Sequence, residues 1–341
     1  MPSKKISSPK TTSSEYTALV QSIGKLLEQA RAKAYSSVNY ILVKLYWEIG
    51  RMIIDFEQNG RTKAVYGTHL LDNLSIDLKS RFGSGFSRSN VIYMRLLYQK
   101  YPKSETVSDR LNWSHYVELL KIDDNIERSF YERECIHSRW SIRDLKRQKS
   151  SALFERLALS KNKQEILKLA KEGQQIEKVD DLIKDPYILE FLNIQSQDTY
   201  SEHELEQNII QNLQRFLLEL GKGFTFVARQ FRITLANRHY YIDLVFYHRI
   251  LKCFVLIDLK INEVTHADVG QMNMYLNYFK KEEMVSGDNP PLGIILTKEK
   301  DKIIAEYALG GISNTMFISK YKLYLPNKKE LEAEVQKILK E

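Results

Sequence analysis

Residues 240–260 have the sequence YYIDLVFYHRILKCFVLIDLK, and this stretch decides the fold. The runs 240–248 and 252–261 are rich in Phe, Tyr, Val and Ile, which predicts two β-strands. One acid interrupts each run, Asp243 in the first and Asp258 in the second. Because a buried carboxylate without a partner costs several kcal/mol, both acids require a nearby cation or hydrogen bonds.

The spacing of the two acids predicts that they meet. An antiparallel hairpin centred on Ile250 and Leu251 opposes residues whose numbers add up to 501, and Asp243 and Asp258 are such a pair. Opposed side chains share a face with Cβ atoms about 5 Å apart, where two carboxylates repel each other unless a divalent cation binds both. Lys260 points to the same face. Two acids and a lysine suit metal-dependent hydrolysis of a phosphodiester, with Mg²⁺ or Mn²⁺ as the cation.

The elements around this hairpin predict an α/β domain over residues 201–341. A capping-box spacing at 201–204 begins a helix that ends at Gly221, and the strand 224–234 precedes the hairpin. A second capping-box spacing at 265–268 begins another helix. We expect a strand over 291–297, a helix over 300–309 and a strand over 315–325 to follow. The predicted order is therefore αβββαβ, then αβ.

This pattern resembles the PD-(D/E)XK nuclease superfamily. Asp243, followed by the triplet Asp258-Leu259-Lys260, is similar to the split acidic motif of that superfamily, whose restriction-endonuclease-like core has the order αβββαβ. The stretches IDLVFYHRILKCFVLIDLK, GQMNMYLNYF and DNPPLGIIL are similar to the YhcG-like bacterial family, in which a helical N-terminal domain precedes the nuclease domain. Ile242 stands where the superfamily motif has proline. The resemblance covers nearly the whole chain.

The resemblance implies the metal site and the catalytic lysine. Asp243, Asp258 and the backbone carbonyl of Leu259 match the metal ligands, and Lys260 matches the catalytic lysine of the motif. The alternative for these residues is structural, with Asp258 and Lys260 as a surface ion pair and Asp243 at an exposed sheet edge.

Three more residues match the superfamily in the helices that flank the sheet. Glu206 corresponds to a catalytic acid on the first core helix, although an acid in a first helical turn is also favoured by the helix dipole. Gln271 and Tyr275 match a QxxxY signature, which implies a catalytic role for Gln271 and a nucleic-acid contact for Tyr275. The alternative for Tyr275 is a place in the core.

The first half of the chain predicts a helical domain. Residues 1–14 have the composition of a disordered basic tail, residues 15–170 show helical periodicity, and 171–200 have the mixed composition of a linker. Two or more amphipathic helices are expected before Asn59, one of them with Ile41, Leu45, Ile49 and Ile53 on a single stripe.

The charge distribution favours a polyanionic partner for this half. Residues 1–150 hold 25 basic and 16 acidic side chains, whereas 151–341 hold 26 and 27, so the net charge of +8 arises in the first half. A helix–turn–helix-like pattern over 68–98 places four side chains near the start of its second helix, where DNA contacts occur: Arg88, Ser89, Asn90 and Arg95. Most such helix pairs are structural, and self-association is the other expected use of this domain.

Several classes of protein are excluded by missing signals. The sequence has no apolar run of 18 residues and no signal-peptide h-region, so we expect a cytoplasmic protein. Cys135 and Cys253 form no CxxC pair, and no HxxxH, GxSxG or P-loop pattern occurs.

The expected function is metal-dependent cleavage of DNA, endonucleolytic rather than exonucleolytic, in recombination, repair or mobile-element defence. The alternatives are a non-catalytic nucleic-acid-binding module and a scaffold in such a complex.

Overall fold

The computed structural model describes residues 14–58, 69–194, 200–299 and 315–340. It divides the chain into two compact units, with the boundary between Asp123 and Asp124. The tail expected over residues 1–14 falls almost entirely outside the described residues, as does the helix expected over 300–309. Within the described ranges, no helix is both long enough and apolar enough to cross a membrane.

The first unit is helical. Its helices are α1 (Ser14–Gln58), α2 (Leu70–Phe82), α3 (Arg88–Lys100) and α4 (Trp113–Leu120). A 3₁₀ turn, Ser84–Phe86, separates α2 from α3, and the side chain of Ser87 caps α3 by accepting from the Asn90 N–H. Helix α1 packs closely against α3 because Gly50 has no side chain, and a Cβ there would lie 2.0 Å from the Met94 carbonyl oxygen.

Helix α1 corrects two expectations. It is one continuous helix of 45 residues instead of two or more. The expected stripe is only partly buried, since Ile53 is buried and Ile49 half-buried but Ile41 and Leu45 are 65% and 49% exposed, whereas Val43 and Trp47 are buried. The helix therefore has two apolar faces, and periodicity alone does not tell which of them the fold buries.

The second unit begins with four helices and a short strand. The helices are α5 (Asn125–Ser138), α6 (Ile142–Ser150), α7 (Leu153–Ala158) and α8 (Lys163–Glu172), and the strand is β1 (Tyr187–Ile188). Strand β1 lies within the stretch expected to be a linker, yet it pairs in parallel with β6 (Met316–Lys322) at the edge of the sheet. The structure thus places helices α5–α8 and the expected linker in the same unit as the sheet.

A buried ion cluster holds this region in place. Glu219 is fully buried, and its carboxylate accepts hydrogen bonds of 2.8 Å from Arg147 and from Arg156 and one of 3.0 Å from the N–H of Ile188. Burial would raise the pKa of Glu219, but Arg156, Lys184 and Arg147 together lower it to about 2. Hydrogen bonds to Glu219 thus join α6, α7 and β1 to the helix that carries this residue. Part of the expected linker over 171–200 is therefore packed into the fold.

The rest of the second unit has the predicted αβββαβ order. Its elements are α9 (Glu202–Gln211), α10 (Leu213–Leu220), β2 (Phe224–Leu235), β3 (Arg238–His248), β4 (Cys253–Lys260), α11 (His266–Tyr278), β5 (Leu292–Thr297), β6 and α12 (Lys328–Lys340). The strand order in the sheet is β1-β6-β5-β4-β3-β2. Strands β2, β3 and β4 pair antiparallel, and β4, β5, β6 and β1 pair in parallel. One expected helix is broken at Asn212, which separates α9 from α10.

The sheet has an apolar core on each face. Leu205, Ile209 and Phe216 from α9 and α10 pack on one face with Ile257 and Ile294. On the other face, Met272 and Tyr275 from α11 pack with Val245, Leu256 and Ile295. Both layers bury large aliphatic and aromatic side chains, and this burial is the main stabilising contribution of the domain.

Candidate active site

The β3–β4 hairpin has the predicted register. Its paired residues run from His248↔Cys253 to Leu244↔Ile257, and every pair adds up to 501. The ladder ends one residue before the two acids, while the other edge of β4 stays paired with β5, with Asp258 opposite Ile295. Asp243 and Asp258 therefore lie just beyond the paired part of the hairpin.

Asp243 is tied to the other half of the motif by its own carboxylate. Its Oδ2 accepts a 2.8 Å hydrogen bond from the backbone N–H of Leu259, the residue between Asp258 and Lys260. Burial raises the pKa of Asp243, while the Leu259 N–H and the charge of Lys260 oppose that rise. Asp243 thus stays beside the Asp258-Leu259-Lys260 triplet although no ladder bond joins it to β4.

Asp258 and Lys260 form an ion pair on one face of β4, as their spacing predicts. The Nζ of Lys260 lies 2.9 Å from Oδ2 of Asp258, which is only 3% exposed. Burial and the charge of Asp243 raise the pKa of Asp258 to about 7. Burial would lower the pKa of Lys260, but the neighbouring acids raise it above its ordinary value, so the ammonium stays charged.

Two further acids surround Lys260 and were not predicted as site residues. Its Nζ is 3.6 Å from Oε2 of Glu202 in α9 and 3.7 Å from Oδ1 of Asp268 in α11. Asp268 also closes the capping box of α11 with Thr265. The capping pattern identified Asp268 as a helix cap, but its second contact depends on how α11 packs against β4.

Glu206 joins the site through Gln230, a residue that sequence reasoning missed. Glu206 is 1% exposed, and Gln230 Nε2 donates to its Oε2 at 2.7 Å and to Oδ1 of Asp243 at 2.9 Å. The backbone of Gln230 has φ +46°, a left-handed conformation that is rare for a residue with a side chain. This local kink in β2 aims the amide at both acids. The sequence gives no distinct signal for this residue, because Gln230 lies in a strand that also holds Arg229 and Arg232.

The carboxylate oxygens have the properties of a site for a hard divalent cation. Oε1 of Glu206 is buried without a hydrogen-bond partner among the described residues, and Oδ2 of Asp258 is buried with the Lys260 ammonium 2.9 Å away. Mg²⁺ and Mn²⁺ prefer such carboxylate oxygens. Asp243 and Asp258, with Glu206 beside them, fit the cation that the sequence predicts. The backbone N–H of Leu259 donates to Asp243. The expected contact between the Leu259 carbonyl and the metal stays a prediction.

Gln271 and Tyr275 lie behind the acids in α11. The Nε2 of Gln271 donates to the hydroxyl of Tyr275, and that hydroxyl donates to the carbonyl of Tyr241 at 2.9 Å. Tyr275 is fully buried, so the nucleic-acid contact expected for it is corrected to a place in the core. Burial raises the pKa of Tyr275, and the charges of Asp258 and Asp243 raise it further, which places the ring close to the acids.

The four candidate DNA-contacting side chains of the helical unit differ in exposure and in the bonds that they already make within the fold. Arg95 binds both carboxylate oxygens of Glu57 at 2.8 and 2.9 Å. The side chain of Asn90 donates to the carbonyl of Gly85 and accepts from the Trp113 indole, so its amide is used within the fold. Arg88 and Ser89 are exposed, and Arg88 pairs with Asp72. The structure therefore leaves Arg88 and Ser89 as the residues that remain open to a phosphate.

A second group of acids lies in the sheet-bearing unit but outside the motif. Carboxylate oxygens of Glu127, Glu155 and Glu332 lie within 4.8 Å of one another, and the Nζ of Lys328 lies 2.6 Å from Glu127. Burial, together with the charge of Glu127, raises the pKa of Glu155 to about 7. The ammonium of Lys328 already supplies a cation to these acids, so we assign them a structural role.

Comparison with known proteins identifies relatives of both halves of the chain. Residues 180–337 match a family described as the YhcG PDDEXK nuclease domain, and residues 22–156 match one described as the DUF1016 N-terminal domain. The chain is 37% identical over 356 residues to "Putative nuclease YhcG" from Escherichia coli (strain K12), covering 95% of this chain and 94% of that protein.

Two solved structures are also similar to part of the chain. A repair endonuclease from Pyrococcus abyssi shares 20% identity over 39% of this chain and 50% of that one, with a TM-score of 0.27. EndoMS in its apo form shares 20% identity over 38% and 49%, with a TM-score of 0.25. At these scores the assignment depends on the sequence relative and the family match.

Proposed function

The chain belongs to the YhcG family of PDDEXK nucleases, and from this premise we propose that it is a metal-dependent endonuclease that hydrolyses DNA phosphodiester bonds. The observation that carries the proposal is the convergence of three buried or half-buried acids, Glu206, Asp243 and Asp258, from three separate elements. Lys260 lies beside them with its charge retained. Burial and the charge of Asp243 raise the pKa of both Glu206 and Asp258, so these acids repel one another, and a purely structural role would not require that repulsion.

Each group in the site has a proposed part in the hydrolysis. Asp243 and Asp258 hold the divalent cation, which when bound supplies Lewis-acid polarisation of the scissile phosphate and of a water molecule. Lys260 provides a fixed positive charge for the phosphate oxygens and offsets the charge that develops on them. Gln230 orients Glu206 and Asp243, and Gln271 acts through Tyr275 on the position of β3.

The wider role follows from the family and from the charge distribution. DNA is the proposed substrate, in recombination, repair or mobile-element defence. The two cysteines are free and buried, which suits the proposed cytoplasmic location. Two partners are proposed for the helical unit, DNA through Arg88 and Ser89 and a second copy of the chain. The alternative function is a nuclease fold kept as a DNA-binding module without turnover.

Cleavage assays on matched variants test the activity. Four purified proteins are compared: the wild type, Asp258→Ala, Lys260→Ala and the control Lys281→Ala. The Lys281 side chain is 83% exposed. Each protein is incubated with supercoiled, linear and branched DNA and with single-stranded RNA. Each reaction contains Mg²⁺, Mn²⁺ or EDTA. We expect metal-dependent DNA cleavage by wild type and Lys281→Ala and at least a hundredfold loss in the two site variants. Equal DNA binding by all four proteins without any cleavage would favour the binding-module alternative.

A further inference from the structure

The first helix carries a stripe of exposed apolar side chains. Eleven large apolar side chains of α1 are exposed, at 48–65% of their full accessibility: Tyr16, Leu19, Val20, Ile23, Leu26, Leu27, Val38, Ile41, Leu45, Met52 and Phe56. At about 100° per residue they fall on one side of the helix. The residues that α1 buries within its own unit, among them Val43, Trp47 and Ile54, lie on the opposite side.

The first half of α1 is largely exposed among the described residues, and the Ser36 hydroxyl at its end donates to the Asp109 carbonyl at 3.2 Å. Every side chain described between Tyr16 and Val38 is exposed, apart from the half-buried Gly24. The second half is anchored, because Gly50 packs against the backbone of Met94 in α3. Most of the stability of a helix in a protein comes from packing of its apolar face, so a partner that covers the apolar stripe would stabilise this half of α1.

The spacing of the stripe is that of a coiled coil. Its apolar residues recur at intervals of three and four within two runs, 16, 19, 23, 26 and 38, 41, 45. A helix of 45 residues is about 67 Å long and about 10 Å wide, so contact along one side covers on the order of 650 Å² per copy. Stable interfaces bury about 800 Å² per partner, which is close to what this stripe offers.

We infer that α1 pairs with α1 of a second copy of this chain in an antiparallel coiled coil. Antiparallel pairing of residues whose numbers add up to 72 sets Tyr16 opposite Phe56, Val20 opposite Met52, Leu27 opposite Leu45 and Ala34 opposite Val38, and it places Ile41 opposite Arg31. This pairing lays the exposed half of each helix on the anchored half of the other. Such a two-fold contact is isologous, the commonest arrangement of homodimers.

The inference concerns the helical unit and stands whether or not the chain cuts DNA. Analytical sedimentation measures the dimerisation of three full-length proteins. They are the wild type, the double variant Ile23→Glu/Leu27→Glu on the stripe, and the double variant Gln21→Glu/Gln29→Glu on the other side of the same helix. Both variants add the same charge at exposed positions, and circular dichroism checks that each is folded. We expect a dimer for wild type and the control and at least a tenfold weaker dimer for the stripe variant. A monomeric wild type, or equal dimerisation of both variants, would overturn the inference.

A thiol crosslink tests the direction of pairing. The Leu27→Cys and Leu45→Cys proteins carry tags of different size. Each protein alone and a mixture of the two are treated with a short bismaleimide. The two native cysteines are buried, so the reagent reacts with the introduced ones. Antiparallel pairing predicts that the mixture gives the 27–45 crosslink while each protein alone gives little. Strong crosslinking of each variant with itself would overturn the antiparallel arrangement.

Discussion

The backbone N–H of Leu259 donates a 2.8 Å hydrogen bond to Oδ2 of Asp243. This bond replaces the ladder contact that is lost where β3 and β4 separate, and it joins the two halves of the acidic motif. Because Oδ2 accepts from the backbone and Oδ1 from Gln230, the Asp243 carboxylate is held at both oxygens. A carboxylate held at both oxygens has a fixed orientation, which preorganises it for a ligand.

Metal binding is expected to stabilise the folded protein. A divalent cation neutralises the repulsion between Asp243 and Asp258, so saturating Mn²⁺ or Mg²⁺ should raise Tm by about 5 °C over the value in EDTA. Asp258→Asn should melt higher than wild type in EDTA, because it removes a buried charge, and should lose the metal-induced shift. Differential scanning calorimetry measures both quantities. The exposed variant Glu282→Gln is the control, and an unchanged shift in Asp258→Asn would contradict the ligand assignment.

Gln230 is expected to act as a positioning residue. Gln230→Ala removes the amide that bridges Glu206 and Asp243, so both acids lose a donor and repel each other more strongly. We expect a 10- to 100-fold loss of cleavage together with a rise in the metal concentration that gives half-maximal activity. Metal titrations of the cleavage rate measure both. The neighbouring Arg229→Ala serves as control, and a loss of activity with unchanged metal dependence would speak against this role.

The sequence predicted the parts of the site that are close in the chain. The register of the β3–β4 hairpin follows from a short connection and one residue pattern, and it was correct from Leu244 to His248. Glu202 and Asp268 were not identified as site residues, because their distances to Lys260 depend on the packing of two helices from different parts of the chain. Amphipathic spacing gives the direction of a side chain on its own element, not its tertiary neighbour.

Backbone conformation explains most of the remaining differences. Ala152 and Gln230 have φ of +51° and +46°, conformations that residue type does not predict and that tertiary packing imposes. The first lies between α6 and α7, and the second lies in β2 at the site. The expected linker has a mixed composition, and its strand β1 became part of the sheet through pairing with β6.

Glu219 is expected to make stability sensitive to acid. Its pKa is about 2 in the folded protein against 4.5 ordinarily, so its contribution of about 3 kcal/mol is complete above pH 4.5 and is lost as the pH falls towards 2. Glu219→Gln should lower the free energy of unfolding at pH 7 by about 3 kcal/mol, because Arg147 and Arg156 lose their buried counter-charge. Urea denaturation at pH 7 and pH 3.5 tests this. The effect should shrink at the lower pH, and a pH-independent loss would contradict the assignment.

Glu155 is expected to make the protein less stable as the pH rises, the opposite of the effect of Glu219. Burial and Glu127 hold its pKa at about 7, above the ordinary 4.5, so the folded state binds a proton that the unfolded state releases. Wild-type stability should therefore fall as the pH rises from 4.5 to 7, by at most about 3 kcal/mol. Glu155→Gln removes the buried charge and should be more stable than wild type at pH 8, with a much smaller gain at pH 5. Urea denaturation at both values compares it with Glu334→Gln, an exposed residue of α12, which should show no such difference. If Glu155→Gln behaved like that control at pH 8, the buried charge would not destabilise the fold, and Lys328 would compensate it fully.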